Sequence, residues 1–211
     1  MKINKRIRIY FSLLTVVMAG LSVSGCHQHL RPDQTAHTAA ASQTEMNVSG
    51  AADQPPCPLA QTGQRRKLRT GDDGDFRAGK AWPVPRFVAN ANGTATDRLT
   101  GLMWSRNANQ AKGPAEWEEA VSGAASCREG GFADWRLPNR RELESLLDLD
   151  RFNPALPEGH PFTEVQSSYY WTSTTTANSE DDAWVIHLYI GFVTKDDKAG
   201  SHYVWYVRSS G

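Results

Sequence analysis

The most informative absences in this sequence of 211 residues concern enzyme chemistry. It contains no Gly-x-Ser-x-Gly elbow, no complete Gly-x-x-x-x-Gly-Lys-Ser/Thr phosphate loop and no His-Glu-x-x-His zinc motif. It has only three cysteines and six histidines, and none of them follows the spacing of a metal centre. We therefore predict a protein that is not an enzyme and that uses neither a metal nor a cofactor.

The N-terminus has a short apolar run where a membrane-spanning helix needs a long one. Residues 9–21 are mostly apolar and follow a basic leader, but a span requires roughly 18 residues. This pattern predicts a signal peptide over residues 1–25. Residues 23–26 read Val-Ser-Gly-Cys and resemble a bacterial lipobox, which implies lipid attachment at Cys26. The next residue, His27, implies sorting to the outer membrane.

The charge balance argues against two classes of partner, although it does not exclude a local basic groove. The leader holds four basic residues and no acid, so its removal leaves 19 basic and 23 acidic residues and a net charge of −4. A mildly acidic chain has no general affinity for nucleic acid or for an anionic membrane surface. We expect no nucleic-acid partner, and we expect membrane association through the lipid anchor.

Aromatic residues are missing from the segment that follows the leader. Residues 26–60 contain no Phe, Trp or Tyr, so they cannot bury enough apolar surface to offset the entropy of ordering. We predict a disordered tether there. All seven tryptophans lie between Trp82 and Trp205, which predicts one folded domain over residues 61–211.

The patterns within this domain predict an α+β fold. Asn92-Gly93 is a strong hairpin signal. One helix is predicted to begin near Pro114 and a second at Asn139. The remaining chain has aromatic and β-branched runs typical of strands, with a turn or bulge at Gly191. We predict two helices and a mostly antiparallel, twisted set of short strands.

Residues 134–143, Asp-Trp-Arg-Leu-Pro-Asn-Arg-Arg-Glu-Leu, predict a structural corner rather than a catalytic site. Pro138 favours an extended residue before it, and Asn139 with Glu142 has the spacing of a capping box. We expect Arg136 and Glu142 to form a partly buried ion pair that fixes this corner. The structural motif comprises Trp135, Arg136, Leu137, Pro138 and Glu142.

Four segments in order resemble the Lcl C-terminal domain family of bacteria. They read NGTATDRLTGLMWSR, GGFADWRLPNRRELESLLD, SSYYWTST and YVWYVRS, and the lead-in is similar as well, so the resemblance covers residues 61–209. The family implies a compact C-type-lectin-like α+β domain. The Arg-Leu-Pro-x-x-x-Glu-Leu core also resembles formylglycine-generating enzymes, which use a pair of cysteines in their C-terminal part. No cysteine follows Cys127 here, so that activity is excluded.

The resemblance also bears on cysteine pairing. Many members of the family have a cysteine in the terminal strand that pairs with one near Cys127, but this chain reads Val-Trp-Tyr-Val-Arg at residues 204–208. Cys57 is then the alternative partner, in an oxidising compartment where disulfides persist. Both a Cys57–Cys127 bridge and two free thiols stay open.

Three acidic clusters raise a calcium hypothesis that the sequence does not complete. They lie at residues 71–75, 180–182 and 196–197, and none of them follows the spacing of an EF-hand loop. The Glu-Pro-Asn and Trp-Asn-Asp signatures of calcium-dependent lectins are also absent. We interpret the clusters as solvated loops and predict no metal site.

A tryptophan-rich domain on a lipid anchor suits the capture of an extended ligand. The best-known family architecture is a collagen-like adhesin that binds sulfated glycosaminoglycans as a trimer. This chain has no Gly-x-y repeat to enforce trimerisation, so homo-oligomerisation stays open. Aromatic faces suit sugar rings, and basic groups suit sulfate or carboxylate. The candidate ligand contacts are Tyr170, Trp171, Lys195, Lys198, His202 and Arg208.

Two functional hypotheses follow from these patterns. The first is a non-enzymatic, outer-membrane-anchored module that binds glycan or another polyanionic envelope or surface polymer, as an adhesin does. The alternative is a structural envelope lipoprotein whose domain contacts a protein partner and binds no sugar. Concentration-dependent glycan binding favours the first, and a crosslinked protein partner without a glycan signal favours the second.

Overall fold

The structure is a computed structural model that describes residues 59–210. The predicted signal peptide, the lipid attachment at Cys26 and all but the last two residues of the predicted tether lie outside this range, and they stay predictions. Among the residues that the structure describes, no helix is both long enough and apolar enough to cross a membrane.

The described residues form an α+β fold of short elements, as the sequence predicts. The α-helices are α1 (Asp73–Phe76), α2 (Trp117–Ser126) and α3 (Arg140–Ser145). The strands are β1 (Phe87–Ala89), β2 (Thr94–Asp97), β3 (Leu102–Ser105), β4 (Tyr169–Thr176), β5 (Ser179–His187), β6 (Phe192–Asp197) and β7 (Val207–Ser209). The two predicted helices correspond to α2 and α3, and α1 is an additional single turn.

The first sheet joins the two ends of the domain. Its strand order is β1-β2-β3-β7, with every pair antiparallel, so the last strand closes on strands from the beginning of the fold. The turn between β1 and β2 contains the predicted Asn92-Gly93 pair. Gly93 has a φ of +86° there, which glycine adopts without a steric penalty.

The second sheet is an antiparallel meander in the order β4-β5-β6. Gly191, predicted to mark a turn or bulge, has a φ of +76° in the turn that connects β5 to β6. The first half of β4 is buried on both faces, because Tyr170 packs into the core that contains Leu143 and Trp171 into the core that contains Trp135.

Helix α2 begins at Trp117, three residues after the predicted start near Pro114. Ala115 forms an antiparallel bridge with His202, and the amide of Trp117 donates to the carbonyl of Lys198 at 3.1 Å. These contacts attach the chain before α2 to the segment before β7. The backbone therefore stays extended until Trp117, where the helix begins.

The corner before α3 has the local geometry that the sequence predicts. The Asn139 side chain accepts from the Glu142 amide at 3.0 Å, and the Glu142 carboxylate accepts from the Asn139 amide at 2.8 Å. The Arg136 guanidinium donates to both oxygens of Glu142 at 2.7 and 2.6 Å. Arg136 also forms a backbone bridge with Val207, so the corner is fixed to the first sheet.

The side chains around this corner separate into buried and exposed groups. Trp135, Leu137 and Pro138 are buried, and the Glu142 side chain is mostly covered. The Arg136 side chain is 44% exposed, so solvent screens the ion pair and its contribution to stability is modest. The buried residues of α3 and the turn after it are Leu143, Leu146 and Leu147.

We expect Glu142→Gln to lower the free energy of unfolding by about 1–2 kcal/mol at neutral pH, since the amide keeps a cap acceptor but loses the charged pair. Burial raises the pKa of Glu142, but hydrogen bonds from Arg136 and the Asn139 amide together bring the pKa below its ordinary value of 4.5. A lowered pKa contributes stability above that value and loses it as the pH falls. The difference in the free energy of unfolding between wild type and variant should therefore be smaller at acidic pH than at neutral pH. Urea denaturation at neutral and at acidic pH measures it.

The matched control is Glu144→Gln on the same helix. Glu144 is more exposed and lies 3.7 Å from Arg140 in an i,i+4 pair. Its replacement should change the free energy of unfolding by less than about 0.5 kcal/mol. Equal effects of the two substitutions would contradict the role assigned to the corner.

Candidate ligand-binding site

Tyr170 and Trp171 do not provide a ligand platform, because both side chains are completely buried. They are consecutive residues of β4, so they enter the two cores on opposite faces of that strand. The Trp171 indole donates to the carbonyl of Ala115 at 2.8 Å, and the Tyr170 hydroxyl accepts from the amide of Gln166 at 2.8 Å. Burial raises the pKa of Tyr170 well above its ordinary value. The expectation that these rings stack on a ligand is corrected.

Lys195, Lys198 and His202 lie on neighbouring segments, but each already has a partner. Lys195 is paired with Asp182, and Nε2 of His202 lies 2.8 Å from Asp196. Nζ of Lys198 donates to the carbonyl of Glu180 at 2.6 Å. It also lies 4.3 Å from the centroid of the Trp117 ring.

Acidic residues surround these cations. The segments 116–119, 180–182 and 195–202 adjoin through the β5–β6 pairing and the Trp117–Lys198 hydrogen bond, and they contain two lysines and eight acids. The acids are Glu116, Glu118, Glu119, Glu180, Asp181, Asp182, Asp196 and Asp197. A surface with this balance repels a polyanion. It therefore does not favour the polyanionic ligand that the sequence predicts for these cations.

Arg208 lies on β7, in a different sheet from Lys195. Its guanidinium donates to both carboxylate oxygens of Asp134 at 2.7 and 3.1 Å, and it stacks 3.9 Å from the centroid of Phe132. The hydrogen bonds from Arg208 lower the pKa of Asp134. No contact joins Arg208 to the other predicted cations within residues 59–210.

The acidic loops and the cysteines have local roles or stay untested. Asp72 caps α1 and accepts from the amides of Leu68 and Arg69, which lowers its pKa. In the described part of the chain, no group of three or more His, Cys, Asp or Glu side chains is placed to hold a metal ion.

Burial raises the pKa of the half-buried Cys127 thiol. Cys57 lies outside the described residues, so a Cys57–Cys127 bridge stays a prediction.

A different site emerges where the segment before β1 packs against the loop that precedes β4. This cleft has a volume of about 340 Å³, and we name it the Arg86 pocket. Its lining combines cationic, aromatic and proline side chains from two segments that are about 70 residues apart in the chain. The lining residues are Arg65, Trp82, Pro83, Val84, Pro85, Arg86, Phe87, Pro157, Glu158, Gly159 and His160.

Arg86 is the most constrained side chain of this pocket and is only 6% exposed. Nε and Nη2 donate to the two carboxylate oxygens of the fully buried Asp97 at 3.1 and 2.9 Å. Nη2 also donates to the carbonyl of Ser145, at the end of α3, at 2.6 Å. Nη1 has no hydrogen-bond partner among the described residues. A buried donor left without a partner typically costs about 1–3 kcal/mol, so any acceptor that reaches this nitrogen would stabilise it.

Aromatic rings enclose the guanidinium. Its central carbon lies 4.5 Å from the centroid of Trp82 and 4.7 Å from the centroid of Phe87, within cation–π range. The Trp82 indole donates to the carbonyl of Gln61 at 2.9 Å, which fixes the ring, and the ring remains partly exposed. The guanidinium of Arg65 lies 5.9 Å from the same ring.

His160 supplies a second polar group without a partner. Its Nδ1 is buried and makes no hydrogen bond within residues 59–210. Burial lowers the pKa of this histidine, which favours the neutral imidazole. The ring stacks on Phe162 at 5.6 Å, and Phe162 packs in turn against Phe87 and Trp205, so the pocket rests on the aromatic core.

The sequence interpretation did not include Trp82, Arg86 or His160 among the candidate ligand contacts. One local signal was present, since residues 82–87 read Trp-Pro-Val-Pro-Arg-Phe and place an arginine between prolines and aromatic rings. Prolines fix the backbone and leave carbonyls without neighbouring amide donors, which suits a pocket wall. The approach of His160 depends on tertiary packing and has no signal in the local sequence.

Comparison with known families gives one match. The family described as the Lcl C-terminal domain matches residues 93–208, more than half of the chain. The match includes β2 through β7 except for the end of β7, whereas the Trp82 to Phe87 wall of the Arg86 pocket precedes it. No curated protein matches the chain.

We expect Arg86→Met to lower the free energy of unfolding by about 3–5 kcal/mol, because it leaves the carboxylate of Asp97 buried without its cation. The double variant Arg86→Met/Asp97→Asn should recover part of this loss, since it removes both charges together. Urea denaturation measures both effects.

The control for this pair is Arg98→Met. Arg98 is exposed and makes one side-chain hydrogen bond, to the carbonyl of Pro85 at 3.2 Å. Its replacement should change the free energy of unfolding by less than about 1 kcal/mol. If Arg86→Met also lowered the free energy of unfolding by less than about 1 kcal/mol, the buried pair would not be a main support of the fold.

Proposed function

The chain belongs to the Lcl C-terminal domain family, and from this premise we propose that it is a non-enzymatic binding module for glycan or another polyanionic polymer of the cell envelope or surface. The proposal places the ligand in the Arg86 pocket. It includes a lipid anchor at Cys26 in the bacterial outer membrane and a C-type-lectin-like arrangement of the domain. The two small antiparallel sheets and the large share of loops support that arrangement.

The observation that carries the proposal is the combination of a partly exposed indole with a buried guanidinium nitrogen that lacks a partner. Sugar rings pack on aromatic rings through their apolar C–H groups, and Trp82 keeps part of its ring exposed beside the guanidinium of Arg86. Sulfate and carboxylate accept hydrogen bonds from guanidinium groups with favourable geometry. Nη1 of Arg86 is the donor whose hydrogen-bonding capacity is not used by the fold.

The charge of the pocket favours an anion. The charge of Arg86 is balanced by Asp97, and Glu158 is paired with Arg151. Arg65 also lines the pocket, and its charge acts on the buried carboxylate of Asp148. The lining itself therefore carries two guanidinium groups and one carboxylate. This balance contrasts with the acidic surface around Lys195 and Lys198.

The size of the pocket limits what it holds. A volume of about 340 Å³ is near the lower end of the range for small-molecule sites, roughly 300–1,000 Å³. One sugar unit or one terminal group fits this description better than several units in a row. We therefore expect weak binding by a single domain, and we expect stronger attachment where many lipid-anchored copies face a repeating polymer.

The anchor and the location follow from the sequence of the first 27 residues. We expect the substitution Cys26→Ser to remove the protein from the outer-membrane fraction, because the thiol that accepts the lipid is lost. Fractionation with an outer-membrane marker measures this. An unchanged amount in the outer-membrane fraction would contradict the lipid anchor and leave the pocket hypothesis unaffected.

The first test of binding is an array of sulfated, carboxylated and neutral glycans. It is probed at two salt concentrations with residues His27 to Gly211, which begin after the lipid-accepting cysteine. We expect saturable, salt-sensitive binding to acidic glycans. Trp82→Leu should weaken it about fivefold or more, because an aromatic contact contributes about 1 kcal/mol. Trp82→Phe keeps a ring and should retain most of the affinity.

The matched control is Trp184→Leu. Trp184 is also a partly exposed tryptophan beneath a guanidinium, with Arg140 at 4.1 Å from its centroid, but it lies on β5 outside the pocket. Its replacement should leave glycan binding unchanged. Binding that Trp82→Leu does not alter would place the ligand elsewhere, and folded protein that binds no glycan would instead favour a protein partner.

The pKa of His160 provides a second readout of the same site. Burial lowers it, and a sulfate or carboxylate bound in the pocket favours the charged imidazolium, so the pKa should rise with ligand. Burial also lowers the pKa of His187, which does not line the pocket. NMR titration with a sulfated oligosaccharide should therefore shift the pKa of His160 and not that of His187. Equal shifts would point to non-specific binding.

A further inference from the structure

Six large apolar side chains form an exposed surface at the tip of the second sheet, which we name the apolar face. Their exposed fractions range from 42% for Tyr189 to 69% for Phe152. Three belong to the β5–β6 turn and its flank, two to the loop after α3, and one to the start of the described chain. The residues are Leu59, Leu149, Phe152, Tyr189, Ile190 and Phe192.

Contacts within the fold hold these side chains together. The rings of Phe152 and Tyr189 lie edge to face, with centroids 6.2 Å apart, and the Asn153 amide donates to the Tyr189 carbonyl at 2.7 Å. A side-chain carbon of Leu149 approaches Gly191 closely, in the middle of the turn. Leu59 and Leu149 line one apolar cleft of about 480 Å³ with that glycine. Four of the six side chains therefore have a neighbour within the face, and Ile190 and Phe192 flank Gly191 in the same turn.

The rim of the apolar face is polar but close to neutral. Arg66 is paired with Asp150, and Arg151 is paired with Glu158. Arg141 and Glu144 both line the cleft. Because each cation has an acid nearby, electrostatic attraction to a charged partner is weak here. An occupant of this face is held mainly by burial of its apolar side chains.

The position of Leu59 indicates which occupant lies within reach. It is the first described residue, it lies on the apolar face, and 58 residues precede it. The described chain therefore begins at this face. With the anchor at Cys26 from the proposed function, 32 residues lie between the anchor and Leu59, and the disordered tether that the sequence predicts would have a typical span of about 30 Å. That distance keeps the face close to a bilayer at high effective concentration.

We propose that the apolar face docks on the lipid bilayer to which the chain is anchored. Phe152, Ile190 and Phe192 enter the boundary between headgroups and acyl chains, and the hydroxyl of Tyr189 stays at headgroup level, where amphipathic aromatic rings are favoured. The neutral rim suits a bilayer surface of either zwitterionic or mixed composition. The contact is weak by itself, and the anchor at Cys26 keeps the face close enough to the bilayer for the contact to form.

Flotation of vesicles tests this docking without the anchor. The protein for this assay comprises residues His27 to Gly211. It lacks the lipid-accepting Cys26 and contains every described residue. We expect it to float with vesicles of phosphatidylethanolamine and phosphatidylglycerol at millimolar lipid, with little dependence on salt. The triple variant Phe152→Ser/Ile190→Ser/Phe192→Ser should reduce the partition coefficient at least about tenfold, since three apolar contacts are lost.

The matched control compares two phenylalanines. Phe76 on α1 is 72% exposed and Phe152 is 69% exposed, so both variants to serine should fold, as circular dichroism verifies. Phe152→Ser should weaken vesicle binding and Phe76→Ser should not. Absence of vesicle binding, or binding unchanged in the triple variant, would overturn the proposal. The proposal would also be overturned if the wild-type protein self-associated and the triple variant did not, since a second copy would then cover the face.

This assay is independent of the glycan hypothesis, because it contains no glycan and measures no lipid attachment. Failure of glycan binding leaves the vesicle result unaffected. A protein that binds acidic glycan but not vesicles would retain the proposed function and lose the docking surface.

Discussion

The buried pair of Arg86 and Asp97 is the interaction on which the first half of the domain depends. Asp97 ends β2 and accepts from the amide of Leu99 and the hydroxyl of Thr100 as well as from Arg86, so one carboxylate organises the turn into β3. Arg86 also donates to the carbonyl of Ser145, the last residue of α3, so it connects the end of β2 to the end of that helix. A charge pair with 4% and 0% side-chain exposure tolerates the loss of neither partner, because the remaining ion would be desolvated without compensation.

This pair also bears on the binding site that we propose at Arg86. The two nitrogens that face Asp97 and Ser145 fix the plane of the guanidinium, so the position of Nη1 is set before any ligand arrives. Preorganisation of this kind reduces the entropy lost on binding. The stacked rings of Trp82 and Phe87 exclude water from the cation, which strengthens a hydrogen bond to an anion.

The sequence predicted the features that depend on neighbouring residues and missed those that depend on packing. The Asn139–Glu142 capping box and the Gly93 turn are local, so their patterns are readable in the chain. Trp171 and Lys195 were assigned by residue type alone. The second core that covers β4 is not visible in the segment around Trp171, and the ion-pair partner of Lys195, Asp182, comes from a different strand. Likewise, Arg86 and His160 meet only because the loop before β4 folds back on the lead-in.

The Arg86 pocket and the apolar face are adjacent. Their closeness limits which ligands the pocket could reach if the apolar face lies on a membrane. Glu158 lines the Arg86 pocket and is paired with Arg151, which lies beside Phe152 on a neighbouring cleft. Arg65 lines the pocket, and the next residue, Arg66, borders that same cleft. A domain with its apolar face on the bilayer therefore holds the pocket close to the membrane surface. A ligand for such a pocket has to present its acidic group near the headgroups, which favours a polymer attached to or lying on the same membrane over one that is reached only at a distance.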